Sequence, residues 1–163
     1  MSTLLRWLKR RGEYGQTLAE FGLILPVILI IIFALVDMAR GMQAYVTIQE
    51  GARDGARYGV TGRIDCTGVM VQTRENCIVQ QVQDRVVSLN NIDTITVEYR
   101  SWDYPSYADP ASENDAGEQC DALEVEVRYE YEPMTPIFNT LIADSIPMVA
   151  RERLVNEPFG TCS

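Results

Sequence analysis

The feature that most constrains this chain is an almost unbroken apolar run from Phe21 to Val36, with one carboxylate, Glu20, directly before it. Sixteen helical residues at about 1.5 Å each extend about 24 Å, against roughly 30 Å for the hydrocarbon core of a bilayer. The run therefore predicts a marginal membrane span that residues 17–19 would lengthen. A charge at the edge of such a segment is costly, so Glu20 indicates a functional role.

Charge is distributed unevenly around the apolar run. Residues 1–15 carry one acid, Glu13, and four basic side chains: Arg6, Lys9, Arg10 and Arg11. Subtracting these from the totals of 14 basic and 23 acidic residues leaves 10 and 22, a net charge of −12 for residues 16–163. A basic N-terminus predicts that residues 1–15 stay in the cytoplasm and that the rest is exported. The acidic exported part predicts no nucleic-acid partner, because such partners bind basic surfaces.

The apolar run is predicted to open a single long helix, from about residue 17 to about residue 60. The helical pattern does not stop at Asp37, and no further Pro interrupts it before residue 60. The residues that follow helical spacing on both sides of Asp37 are Leu35, Met38, Met42, Tyr45, Val46 and Gln49. Pro26 lies inside this helix and cannot donate to the carbonyl of Gly22. The sequence therefore predicts a kink or weak point near residues 22–26.

The end of this helix carries three glycines at intervals of four residues: Gly51, Gly55 and Gly59. Each interior glycine costs about 1 kcal/mol of helix stability relative to Ala, so the repeat calls for a reason. A stripe of small residues lets another backbone approach closely. Two interpretations stay open here: packing against the chain's own domain, and helix–helix contact between subunits.

The exported part is predicted to be a small α+β domain. A second helix is expected over residues 74–89, with Val79, Val82, Val86 and Leu89 on one face. Period-two alternation predicts strands at 94–100 and 123–132, with a weaker strand at 146–155 after a short helix-like stretch at 135–143. The predicted organisation is a leader (1–15), a transmembrane and stem helix (16–60) and an exported domain (61–163) with a roughly three-stranded antiparallel sheet.

All four cysteines follow the apolar run: Cys66, Cys77, Cys120 and Cys162. An even number in a small exported domain predicts two disulfides, which could pair in three ways. Pairing Cys66 with Cys77 and Cys120 with Cys162 is favoured, because the first pair closes a short loop and the second fastens the C-terminus. Free buried thiols are the alternative.

Residues 101–121 form a predicted long loop that is both aromatic and acidic. Its oxygen-bearing side chains could bind Ca²⁺, but the spacing does not match an EF-hand, and a solvated loop is the favoured interpretation. The chain has no His, no glycine-rich phosphate loop and no CxxC pair. It is therefore predicted not to be an enzyme and to need no cofactor or metal.

Three stretches resemble the TadE-like minor pilins, or pseudopilins, of the tight-adherence pilus system. The first is the basic leader ending at Gly15 and followed by Gln-Thr-Leu-Ala-Glu-Phe at 16–21. The second is Leu25-Pro26 within the apolar run, and the third is Gly-Ala-Arg-Asp-Gly-Ala-Arg-Tyr at 51–58. Residues 10–60 carry most of this resemblance, which implies a pilin-like fold.

The resemblance implies processing by a prepilin peptidase that cuts after Gly15 and reads Gly15 and Glu20. The other implied processing positions are Gln16, which becomes the new N-terminus, and Phe21. Many type IV pilins begin with a methylated Phe, whereas this chain would begin with Gln16. The implied partners are the peptidase, other pilin subunits and a pilus assembly platform in the inner membrane. The implied location is a single pass of the inner membrane with the N-terminus in the cytoplasm, and then an extracellular pilus used in adhesion. The resemblance implies that the chain is assembled into this pilus or primes it.

The resemblance also implies which residues act in assembly. In related pilins the acid five residues into the mature chain pairs with the freed amine of a neighbouring subunit, a role that falls here to Glu20. Such a pair would set the axial register of the filament, because a buried unpaired charge is strongly destabilising. The other implied assembly positions are Pro26, Gly51, Gly55 and Gly59.

Two further hypotheses from different classes compete with a pilin. An uncleaved single-pass protein could use its exported domain, and the aromatic acidic loop in particular, to bind a ligand or a surface. That hypothesis predicts that Gly15 can be replaced without loss of function. An exported enzyme is the third hypothesis, and turnover by purified residues 38–163 would support it.

Overall fold

The computed structural model describes residues 2–89, 92–109, 111–135, 144–158 and 162; for residues 2–15 and 92 it describes the backbone only. The first element is a helix, α1 (Ser2–Val60), that passes through Pro26 without interruption. It begins well before the predicted start near residue 17, which fits a leader that contains no Pro. The long helix predicted from the sequence is confirmed.

The second helix, α2 (Arg74–Val86), is capped by Thr73, whose side chain accepts a hydrogen bond from the backbone N–H of Asn76. Such a cap satisfies a backbone donor that the first helical turn leaves free. The buried face consists of Cys77, Ile78, Val82 and Val86. The predicted face is therefore corrected at one position, because Ile78 takes the place of Val79. The predicted end at Asn90 and Asn91 lies outside the described residues, and α2 itself stops at Val86.

Four strands form an antiparallel sheet in the order β2-β1-β3-β4. They are β1 (Thr96–Trp102), β2 (Ser112–Glu113), β3 (Ala122–Tyr131) and β4 (Ile146–Val155). A 3₁₀ turn, Ile92–Thr94, precedes β1. The sequence predicted three of these strands and missed β2, whose two residues are too few to show alternation. The helix-like stretch predicted at 135–143 lies almost wholly outside the described residues.

The alternation predicted for β3 is confirmed. Leu123, Val125, Val127, Tyr129 and Tyr131 are all buried, and the core is completed by α2 and by one face of α1. The α1 residues in this core recur at intervals of four: Ala44, Ile48, Ala52, Ala56 and Val60. The fold is α+β, as predicted.

The chain divides into two compact units, Met1–Arg40 and Gly41–Ser163. The second unit begins some twenty residues earlier than the exported domain predicted at 61–163. The reason is that the α1 core residues after Gly41 pack with α2 and the sheet, so the stem belongs to the globular unit.

Two disulfides join Cys66 to Cys77 and Cys120 to Cys162, with Cα–Cα distances of 5.4 and 5.8 Å. This is the pairing that the sequence favours. The first fastens the loop after α1 to α2, and the second holds the C-terminal segment beside β3. The alternative of free thiols is wrong.

Candidate processing and assembly segment

The first turns of the apolar part of α1 bring two of the predicted processing residues together. The side-chain amide of Gln16 donates through Nε2 to Oε1 of Glu20 over 3.1 Å. The contact follows from helix geometry, because residues four apart lie on the same face. Gly15 precedes them in the same helix, and the Phe21 side chain that follows is 59% exposed. Their roles in cleavage and assembly stay predictions.

The surface around these residues is apolar and uncovered. From Leu18 to Val36 the large apolar side chains are 38–77% exposed. An 18-residue window of this helix has a mean hydropathy of 2.8 and is only 6% buried, which makes it long and apolar enough to cross a membrane. A continuous apolar surface of this kind requires lipid or a protein partner.

Pro26 and Gly22 lie within this uncovered surface. Both are exposed, and apart from its chain neighbours and the nearby backbone of its own helix, no atom lies within 4 Å of the position that a Cβ on Gly22 would occupy. The chain itself therefore places no packing demand on a small residue at position 22. The predicted kink stays a prediction, and the helix is continuous across both positions.

The glycine stripe has a different environment. A Cβ on Gly55 would lie 2.6 Å from Cγ2 of Val82, and one on Gly59 would lie 2.9 Å from Cδ1 of Ile78. Gly51 likewise faces α2, where its Cβ would lie 3.1 Å from Cγ1 of Val86. This packing favours the interpretation in which the glycines face the chain's own domain, and their role in assembly stays a prediction. The three glycines allow α1 to pack closely against α2 of the same chain.

The sequence also failed to predict a charged cluster on the other face of the sheet. Glu126, on β3, alternates with the core residues, yet its side chain is fully buried. Its carboxylate is held by guanidinium groups from three strands: Arg100 at 2.6 Å, Arg128 at 2.7 Å and Arg151 at 2.8 Å. Cross-strand register creates the cluster, because Glu126 lies directly opposite Arg151 on β4.

The arginines keep the Glu126 carboxyl ionised. Burial alone would raise its pKa, but hydrogen bonds and charge from Arg151 and Arg128 outweigh that effect and leave the pKa below its ordinary value of 4.5. The same contacts raise the pKa values of both guanidinium groups. The cluster fastens three strands by charge-assisted hydrogen bonds.

A second polar network joins the ends of several elements. Arg74, the first residue of α2, donates to the carbonyl of Gly59 over 2.7 Å, to that of Gly117 over 2.6 Å and to Oδ1 of Asn156 over 2.7 Å. Asn156 in turn donates to the carbonyl of Ala116. Burial lowers the pKa of the Arg74 guanidinium. The network ties the end of α1 to the loop before β3 and to the segment after β4.

The aromatic acidic loop is organised by one of its own carboxylates. Asp121 accepts hydrogen bonds from the backbone N–H groups of Tyr104 and Glu118, over 2.8 and 2.7 Å. The indole of Trp102 donates to Asp109 over 2.8 Å. Within the part of the chain that the structure describes, no group of three or more His, Cys, Asp or Glu side chains is placed to hold a metal ion. The contacts give Asp121 and Asp109 a structural role in the loop.

A segment near the start of the chain matches a known protein family. Residues 15–57 match a family model described as TadE-like protein. This segment is TadE-like. No curated protein and no solved structure gives a significant match. The resemblance expected from the sequence motifs is confirmed over these residues.

The TadE-like segment, residues 15–57, begins at Gly15, directly before the Gln16–Glu20 hydrogen bond. It contains the exposed apolar surface and two of the three stripe glycines, Gly51 and Gly55. It ends before the 61–73 loop and includes none of the sheet. The match therefore covers the exposed apolar helix and most of the helical stem.

Proposed function

We propose that this chain is a pilin-like subunit of a tight-adherence pilus. It is inserted in the inner membrane with its basic leader in the cytoplasm, cleaved after Gly15 by a prepilin peptidase, and moved by the assembly platform into an extracellular pilus that serves adhesion. The observation that carries the proposal is the TadE-like segment, in which Gly15 and Glu20 precede an apolar helix that its own chain leaves exposed.

The exposed apolar surface supports both stages of this proposal. In the membrane, lipid covers the side chains between Leu18 and Val36. In a pilus, neighbouring copies of the same helix replace the lipid. Apolar surface gains little from being moved between lipid and protein, so the transfer is feasible for a span as marginal as this one.

Glu20 supports the assembly stage. Its carboxylate lies at the membrane edge, where its described hydrogen bond comes from the neutral amide of Gln16. The amine freed at residue 16 of a neighbouring subunit would supply a positive charge. An ion pair buried among apolar helices tolerates few registers, since displacing either partner leaves an uncompensated charge.

Replacing Glu20 separates assembly from insertion. We expect Glu20→Ala to insert in the membrane as the wild type does and to reduce the filament yield at least tenfold. Glu113→Ala, which removes an exposed acid on β2, is the matched control and should leave the yield unchanged. Membrane fractionation and the amount of subunit in sheared filaments give the two readouts. Wild-type yield from Glu20→Ala would overturn the charge-pair argument.

Replacing Gly15 distinguishes a pilin from an uncleaved membrane protein that binds through its exported domain. We expect a bulky residue, as in Gly15→Leu, to leave the leader attached and to abolish filament incorporation. Full function with the leader retained would favour the uncleaved alternative.

A further inference from the structure

We propose that Glu20 has a second role in the processed chain: it positions the side chain of Gln16 so that the new N-terminus resists closure to pyroglutamate. The inference rests on the proposed cleavage after Gly15, which makes Gln16 the terminal residue. It assigns a protective contact to a hydrogen bond within one subunit, separate from any pairing between subunits.

The reaction to be resisted requires no co-reactant. The free α-amine of an N-terminal Gln attacks Cδ of its own side-chain amide, a new C–N bond closes a five-membered lactam, and the bond from Cδ to Nε2 breaks to release ammonia. Nothing is oxidised or reduced. The product has no basic amine at its terminus. A subunit modified in this way could no longer offer an ammonium group to the Glu20 of a neighbour.

The geometry of α1 opposes this closure. Glu20 lies four residues beyond Gln16, about 6 Å further along the helix axis. The 3.1 Å hydrogen bond keeps Nε2 of Gln16 at that carboxylate. The lactam instead requires Cδ to fold back onto the backbone nitrogen of residue 16. While Nε2 is hydrogen-bonded to the Glu20 carboxylate, Cδ is not folded back onto that backbone nitrogen, so the contact lowers the fraction of reactive conformers.

The expected size of the effect follows from the strength of such contacts. Polar side-chain pairs four apart on a helix, and ordinary protein hydrogen bonds, correspond to about a two- to fivefold change in population. Loss of the Glu20 acceptor should therefore accelerate closure about two- to fivefold.

The composition of the chain makes this measurable. Its one lysine is Lys9, which lies on the leader side of the proposed cut, so residues 16–163 contain no lysine. An amine-reactive reagent would therefore label a processed chain only at the α-amine of Gln16. Loss of labelling, together with a mass lower by one ammonia, reports ring closure.

The test uses the whole processed chain, residues 16–163, in detergent micelles. A removable tag in place of residues 1–15 is cut by a protease that leaves Gln16 at the terminus and sets time zero. Wild type, Glu20→Ala and Glu20→Gln are followed by amine labelling and by mass spectrometry of the N-terminal peptide. We expect Glu20→Ala to close about two- to fivefold faster than wild type. Glu20→Gln keeps an oxygen acceptor for Nε2 and should close at the wild-type rate.

Three outcomes would overturn the inference. Equal rates in wild type and Glu20→Ala would show that the contact does not protect. Slower closure in Glu20→Ala would show that the carboxylate promotes the reaction. Closure of Glu20→Gln as fast as Glu20→Ala would assign the effect to charge rather than to the hydrogen bond.

The proposed cleavage can be rejected without rejecting the protective role of Glu20. If chains recovered from cells retain residues 1–15, the proposed function is wrong, while the timed comparison still decides whether Glu20 protects a terminal Gln16.

Discussion

At the scale of single residues, the structure shows two polar side chains that hold the globular unit together from unexpected positions. Glu126 alternates with the core residues of β3, and period-two alternation predicts that such a residue is solvated. It is buried because Arg100, Arg128 and Arg151 close over it. Arg74 begins a helix and yet reaches three separate segments. Neither contact could be predicted, because both depend on strand register and on loops that the sequence does not place.

Replacing Glu126 should destabilise the globular unit. We expect Glu126→Gln to lower the free energy of unfolding by about 2 kcal/mol at pH 7, because it removes the charge that three guanidinium groups share. The expected loss in the free energy of unfolding is smaller than for a fully buried ion pair, because Arg128 and Arg151 are substantially exposed. Glu130→Gln, an exposed position on the same strand, is the control and should change stability by less than about 0.5 kcal/mol. Chemical denaturation in detergent measures both, and equal effects would contradict this role for Glu126.

Glu126 should also make the stability of the globular unit depend on pH. The folded pKa of Glu126 lies below its ordinary value of 4.5, so the unfolded chain takes up this proton first on acidification. The stability that Glu126 supplies is therefore present above pH 4.5 and is lost as the pH falls through the lowered folded pKa. We expect the difference between wild type and Glu126→Gln to shrink steadily below pH 4.5. A difference that stays constant to lower pH would contradict the assignment.

At the scale of elements, sequence patterns predicted what each segment becomes better than they predicted what it contacts. Alternation located β1 and β3 and, more weakly, β4, and helical spacing located α1 and α2. The glycine stripe fitted two partners equally well, because close approach requires small residues whether the neighbouring helix belongs to the same chain or to another. The contacts of Gly55 with Val82 and of Gly59 with Ile78 select the chain's own domain. Val79 was placed on the buried face for a similar reason, since Ile78 and Val79 both fit an apolar stripe.

Replacing a glycine of the stripe by Ala can be compared with the same replacement elsewhere in α1. We expect Gly59→Ala to destabilise the globular unit by about 1–3 kcal/mol, because its Cβ would collide with side chains of Leu123 and Ile78. Gly22→Ala adds the same methyl group to the same helix at a position where it would contact no other part of the chain within 4 Å, and it should leave the unfolding midpoint of the globular unit unchanged. Thermal unfolding of both variants decides the matter. A Gly59→Ala variant as stable as wild type would show that α1 does not pack against α2 and β3 at this point.

At the scale of the whole molecule, the chain consists of a TadE-like helix and a disulfide-fastened α+β unit. Apart from β2, the order of the elements and the fold class followed from composition and periodicity, and the favoured cysteine pairing followed from the spacing of the cysteines. The division of the chain at Gly41 did not, because a helix pattern alone does not reveal where its apolar face begins to pack in a core. The candidate processing residues were located by motif, and the contact of Gln16 with Glu20 at 3.1 Å is one that helical spacing allows.

The disulfides should contribute much of the stability of so small a unit. Chain entropy assigns about 3 kcal/mol to Cys66–Cys77, which spans 11 residues, and about 4 kcal/mol to Cys120–Cys162, which spans 42. We expect reduction to lower the thermal midpoint markedly, and the Cys120→Ala/Cys162→Ala pair to cost more than the Cys66→Ala/Cys77→Ala pair. Calorimetry of the oxidised, reduced and double-variant chains tests this order. A midpoint that does not change on reduction would contradict it.

The central claim is that this chain is a processed subunit of a pilus, and the identity of its N-terminus in assembled material tests that claim most directly. Filaments sheared from cells would be purified, digested and analysed by mass spectrometry for the first peptide of this chain. We expect a chain that begins at Gln16, with residues 1–15 absent. Recovery of filament-associated chains that still carry residues 1–15 would contradict it.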